Sequence, residues 1–127
     1  MTRVLLVEDE NLIAQFIEKG LLRHGYYPTS VSDGQQALDE IYNESYDLVL
    51  LDLGLPTISG REVLQTLRQQ GFTLPVIVIT AYSDKKNIAL GLGANDFIDK
   101  PFRFSELLKI IQRNLAKSFG DDKVLQI

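Results

Sequence analysis

Oxygen-bearing and cationic side chains recur directly behind short apolar runs in this sequence. Glu8, Asp9 and Glu10 follow Val4 to Val7, Asp52 follows the run Asp47 to Leu51, Thr80 follows Val76 to Ile79, and Lys100 stands two residues beyond Ile98. If those runs are strands of one sheet, their ends gather carboxylates, a hydroxyl and an ammonium into one small region. Three or more carboxylates in a single cleft repel one another unless a cation sits among them. A hard divalent ion answers that need. Mg2+ takes one or two carboxylates, keeps several waters and completes its shell with phosphate oxygens, and Asp9 and Asp52 are the residues to supply the carboxylates. Lys100, as a point charge, and Thr80, as a hydroxyl donor, suit the remaining oxygens of a phosphoryl group. With no cysteine and a single histidine, His24, read as a surface residue ending the first helix, Asp52 is the candidate nucleophile.

The elements that must hold these residues have their own signals. Continuous Val/Leu/Ile runs, rather than alternating ones, suit strands of a parallel sheet covered on both faces. A weaker run lies at Tyr27 to Val31 and a short one at Asp96 to Ile98. Between the runs, Ile13, Phe16, Ile17, Gly20 and Leu21 form a helical stripe, and Phe104, Leu107, Leu108, Ile111 and Leu115 form another. Ser32-Asp33-Gly34 opens a helix through Ala37, Leu38 and Ile41. Ser59 with Glu62 reads as a capping box opening a helix through Val63, Leu64 and Leu67, which Gly71 closes. A shorter helix is expected from Asp84 to Leu90, cut off by Gly91 and Gly93. Five repeats of strand and helix predict an α/β domain with a doubly wound, five-stranded parallel sheet. In such sheets ligands bind beyond the carboxyl ends of the strands, where the chemistry-bearing residues lie.

Length and composition bound the alternatives. A chain of 127 residues is one domain's worth, and 45% hydrophobic with 24% charged residues is ordinary for a globular protein. Thirteen basic against 17 acidic residues, for a net charge of -4 and a pI near 4.9, argue against direct nucleic-acid binding by this chain. The apolar runs fall far short of a membrane span or a signal peptide, so a cytoplasmic location is expected. Residues 118–127 read as a C-terminal tail, or as the start of a linker to an output domain, after a domain covering 1–117.

Four segments together resemble the receiver domain of two-component response regulators: V-L-L-V-E-D-E at 4–10, L-V-L-L-D-L-G-L-P-T-I-S-G at 48–60, V-I-V-I-T-A-Y at 76–82, and G-A-N-D-F-I-D-K-P-F at 93–102. The resemblance implies a flavodoxin-like sheet of order 2-1-3-4-5 and a phosphoacceptor at Asp52. It also implies Mg2+ held by Glu8, Asp9 and Asp52 with the Gly54 carbonyl, and switch residues Thr80, Phe97 and Lys100. Its implied partner is a sensor histidine kinase or phosphotransfer protein, and its implied output is a phosphorylation-dependent homodimer. A domain of this kind assists its own phosphorylation and dephosphorylation without being an enzyme on other substrates. A cis Lys100-Pro101 bond is implied too.

Departures from the pattern carry expectations of their own. Phe97 stands where tyrosine is commoner, so any switching through it relies on ring packing. Tyr82 and Gly54 are expected to set the lifetime of an aspartyl phosphate. The output face is expected on the helix from Asp84, the fifth strand and the last helix, with Ile110 exposed and Asp96 beside it. Two rivals remain: a Mg2+-dependent phosphatase or phosphotransferase with an aspartyl nucleophile, for which residues 53–60 supply neither a general acid nor a cap, and a non-phosphorylated binding module, disfavoured because Asp9, Asp52, Thr80 and Lys100 are all present.

Overall fold

Five apolar runs become the strands of a single parallel sheet in the computed structural model, which describes residues 1–81 and 90–125. The strands are β1 (Thr2–Val7), β2 (Tyr26–Val31), β3 (Leu48–Asp52), β4 (Val76–Thr80) and β5 (Asp96–Asp99), in the order β2-β1-β3-β4-β5 expected. The helices are α1 (Asn11–Arg23), α2 (Gly34–Asn43), α3 (Gly60–Gln69) and a C-terminal α4 (Phe104–Leu125). The expected helix from Asp84, and Tyr82 ahead of it, lie outside the described residues. No helix among the described residues is long and apolar enough to cross a membrane.

Local signals set the helix ends. Asp33 caps α2 by accepting the Gln36 amide at 2.8 Å, Ser59 caps α3 by accepting the Glu62 amide at 3.2 Å, and Gly71 at φ +87° ends α3. His24 is exposed at the end of α1, as expected.

Because strand side chains alternate, the sheet separates two hydrophobic layers. Val4, Leu6, Leu48, Leu50, Ile77, Ile79 and Ile98 face α1 and α4, whereas Leu5, Val7, Val49, Leu51, Val76 and Val78 face α2 and α3. The same alternation fixes the strand ends. Glu8, Asp52 and Lys100 fall on the α1 and α4 side, and Thr80 falls on the other.

Two helical stripes differ from expectation. In α1 the buried set is Ala14, Ile17, Gly20 and Leu21, while Phe16 is 48% exposed. A bulky ring at position 16 is displaced outward by Phe104, which lies edge-on to it and occupies the hollow over Gly20. In α4 the inward row is Leu107, Ile111, Asn114 and Leu115, with Leu108 only half-buried. That row is rotated toward Ile110, which packs partly buried on the core and is not the exposed residue expected. The rotation is permitted because the buried Asn114 amide donates to the Ile110 carbonyl at 2.8 Å and to Asp96 at 3.1 Å, leaving the core position satisfied. α4 also runs on to Leu125, through the stretch read as a tail.

Candidate functional site

Four strand ends meet at one rim of the sheet. Glu8 and Asp52 are buried at 2% and 7% exposure, Asp9 is exposed beside them, and each of the three offers a carboxylate oxygen within 4.8 Å of the others. Lys100 reaches in from the end of β5, with its Nζ 2.6 Å from Glu8 Oε1 and 3.4 Å from Asp52 Oδ2. The backbone that delivers it is tied to β4, since the Lys100 amide donates to the Thr80 carbonyl at 2.7 Å. The Lys100-Pro101 peptide bond is cis, as expected.

Asp52 is held from below by its own loop. Its Oδ1 accepts the Gly54 amide at 3.1 Å, and the Gly60 amide donates to the Leu53 carbonyl at 3.1 Å. Gly60, the first residue of α3, sits so close to the strand end that a Cβ there would lie 2.1 Å from the Asp52 carbonyl oxygen. Side chain and helix N-terminus are thereby joined at one point. Asp9, Glu10, Asp52, Gly54, Thr80 and Lys100 line a cleft of about 220 Å3. A larger hollow of about 490 Å3 lies between the C-terminal ends of α2 and α3, lined by Tyr42, Tyr46 and Phe72, but among the described residues no acidic cluster opens into it. Size alone points away from the chemistry.

The electrostatics are unbalanced. Burial pushes the Glu8 carboxyl up to about 7; Asp52 adds to the rise, and Lys100 offsets part of it. Lys100 itself is raised, because burial, which would lower it, is outweighed by Glu8 and Asp52. Three carboxylates thus face one ammonium, and Glu8 Oε2 is buried with no hydrogen-bond partner among the described residues. An orphaned buried oxygen among hard donors fits a divalent oxygen-seeking cation such as Mg2+.

The structure therefore brings together Glu8, Asp9, Asp52, Gly54, Thr80 and Lys100 as expected from sequence. From sequence Lys100 is expected only at phosphoryl oxygens; its ion pair with Glu8 has no local signal, since the two residues lie 92 positions apart. Phe97 lies half-buried against the α2 and α3 layer, the side on which Thr80 also falls.

Asp96 behaves differently from the expectation for an open output surface. It accepts hydrogen bonds from Arg113, from Asn114 and from the Phe97 amide, so its carboxylate is engaged within the chain. Burial would raise its pKa, but Arg113, Asn114 and the amide together hold it below the ordinary value. The stabilisation is complete above the ordinary carboxylate pKa of about 3.9 and is lost as pH falls through the lower folded value. Asp96→Asn is expected to cost about 1 kcal/mol or less at pH 7, Arg113 being half exposed, with the difference from the parent vanishing near pH 2. Urea unfolding across pH 2–7 measures this, and a pH-independent difference would exclude the charge pair as its source.

Comparison with known proteins places these features in a family. The response regulator receiver domain family matches residues 4–112. The response regulator ArlR of Staphylococcus aureus is 44% identical over 119 residues, covering 92% of this chain and 54% of the relative, so the chain spans about half the length of that protein. The receiver domain of the Francisella response regulator 1452 superimposes with a TM-score of 0.88 at 31% identity, covering 93% of this chain and 99% of that one. TrrA from Thermotoga maritima, solved in complex with Mg2+-BeF, gives 0.83 at 33% identity over 89% of this chain and 98% of its own. The receiver domain of a sensor histidine kinase from Pseudomonas aeruginosa, with a magnesium ion coordinated in its active-site cleft, gives 0.84 at 34% identity over 91% and 98%.

Proposed function

Since the chain belongs to the response regulator receiver domains of two-component signalling, we propose that Asp52 is its phosphoacceptor, taking a phosphoryl group from the phosphohistidine of a sensor histidine kinase or phosphotransfer protein. In that transfer an Asp52 carboxylate oxygen forms a bond to phosphorus as the bond from phosphorus to the imidazole nitrogen breaks, and the released imidazole takes up a proton from solvent. The observation that carries this reading is the buried Asp52 carboxylate within 4.8 Å of two further carboxylates and 3.4 Å from the Lys100 ammonium.

Phosphoryl transfer needs positioning and charge neutralisation more than covalent chemistry. Asp9, Asp52 and the Gly54 carbonyl, with Glu8 behind them, are the groups that would hold Mg2+. Bound there, the ion would neutralise charge on the carboxylates and the phosphoryl oxygens. The Gly54 amide orients Asp52 through Oδ1. Lys100 exchanges part of its pairing with Asp52 for a phosphoryl oxygen, and the Thr80 hydroxyl donates to another. The domain thus assists its own phosphorylation, and residues 53–60 bring neither a general acid nor a cap to the cleft. Thr80 and Phe97 relay the change to β5, shifting an existing equilibrium toward a self-associating form. Ile110, partly buried against the core, offers that form only the part of its side chain left open, as an apolar contact. A cytoplasmic location completes the reading.

Asp9→Ala tests the metal assignment. The substitution removes an exposed carboxylate without opening the core, so Mg2+ affinity is expected to fall about tenfold or more and uptake from acetyl phosphate to slow in step. Equal uptake rates with and without Mg2+ in the parent protein would remove the metal from the site.

A further inference from the structure

Lys100 is delivered to the site by β5, a four-residue strand at the edge of the sheet, paired on one side only. Such a strand has little of its own to fix its register, and a slip of one residue would turn Lys100 to the opposite face. Its C-terminal end is tied by the Lys100 amide to Thr80. Its N-terminal end is tied through Asn95, whose amide donates to the Val76 carbonyl at 2.9 Å while its Oδ1 accepts the Val76 amide at 2.9 Å.

Asn95 in turn is held by Arg68, in the last turn of α3. The guanidinium donates to Asn95 Oδ1 at 2.8 Å, to the Gly93 carbonyl at 2.9 Å, and to the Phe72 and Leu74 carbonyls at 2.8 and 3.0 Å. These acceptors belong to the segments that lead into β4 and β5, and among the described residues none is a carboxylate. The planar fork satisfies four oxygens at fixed angles, which a lysine ammonium cannot reproduce. The turn is moulded to it as well. Gly93 adopts φ +103°, and a Cβ there would come 2.9 Å from Arg68 Cγ. α3 therefore abuts Asp52 at its first residue, Gly60, and grips the start of β4 and β5 at its last turn.

We propose that Arg68 is a positioning residue for Lys100: it locks the register of β5 at the end far from the site, and so sets the ammonium against Glu8 and Asp52. The proposal rests on the reading of Asp52 as phosphoacceptor for its consequence in phosphoryl uptake, but the register lock can be read without it.

The experiment uses Arg68→Met and Asn95→Ala, with Arg68→Lys expected to follow the methionine variant. Three quantities are measured on each: amide hydrogen exchange in β5 against β1 and β3, Mg2+ affinity by titration with the metal alone, and the rate of phosphoryl uptake from acetyl phosphate at saturating Mg2+. The expected result is exchange about tenfold faster at Ile98 to Lys100 with β1 and β3 unchanged, uptake slowed about fivefold or more, and Mg2+ affinity within about twofold, because its proposed ligands lie at and just beyond the ends of β1 and β3 rather than on β5. General loosening would lower Mg2+ affinity together with uptake, and that pattern would overturn the proposal. So would exchange in β5 that stays at the parent's level, or faster exchange with unchanged uptake. If Arg68→Met does not fold, Asn95→Ala decides, and failure of both to fold would overturn a role confined to β5. A parent protein that takes up no phosphoryl group sinks the phosphoacceptor reading instead, while the exchange comparison still tests the lock.

Discussion

Asp52→Asn is expected to take up no phosphoryl group from acetyl phosphate and Mg2+, while keeping the fold and gaining stability. The change is nearly isosteric, and the Gly54 amide can still donate to the side-chain oxygen it now meets at Oδ1. What disappears is the anionic nucleophile, and with it one of three carboxylates crowded within 4.8 Å. Relief of that repulsion is expected to raise stability at pH 7 by about 1 kcal/mol, and to lower the Glu8 carboxyl, now pushed up to about 7, by the part that Asp52 adds, burial keeping the larger part of the rise. Intact-mass measurement reads the first effect and urea unfolding the second. An undiminished mass gain of one phosphoryl group in the variant would move the acceptor to another residue.

Gly60→Ala is expected to be severely damaging for a single added methyl group. The added Cβ would lie 2.1 Å from the Asp52 carbonyl oxygen and 2.7 Å from Leu53 Cα, both backbone atoms with no rotamer to escape into. Relief requires α3 to withdraw from the end of β3, at a cost of about 3 kcal/mol or more, and withdrawal displaces the loop that orients Asp52. A neighbouring substitution provides the contrast. At Gly54 a Cβ meets, among the described residues, only Asp52 Oδ1, at 3.9 Å, an ordinary contact, so Gly54→Ala is expected to stay within about 1 kcal/mol of the parent. Equal urea midpoints for the two variants would contradict the collision.

The fold was legible because strands buried on both faces read as unbroken apolar runs, and the site because each of its residues follows such a run. Asp52 and Thr80 needed no three-dimensional information beyond the rule that ligands gather at strand ends. What escaped was contact between distant positions and the exact facing of helices. Asn114 is polar yet buried, so the stripe of α4 was centred on Leu108 and Ile110 was turned to solvent. Phe16 is apolar yet half exposed, because Phe104 already fills the notch over Gly20. Arg68 gave no signal at all, since an arginine in a last helical turn ordinarily reads as a partner for the helix dipole. Its four oxygen acceptors come from segments that only the folded chain brings together.

The division of the interior by the sheet has an evolutionary corollary. Leu5 and Leu6 are adjacent in sequence, yet each belongs to a separate cluster with its own helices. A volume change in one cluster is expected to be met by residues of that cluster, and substitutions on opposite faces of the sheet more than about 10 Å apart are expected to combine additively. In lineages carrying this domain, compensating substitutions are therefore expected to pair within one layer more often than between the two.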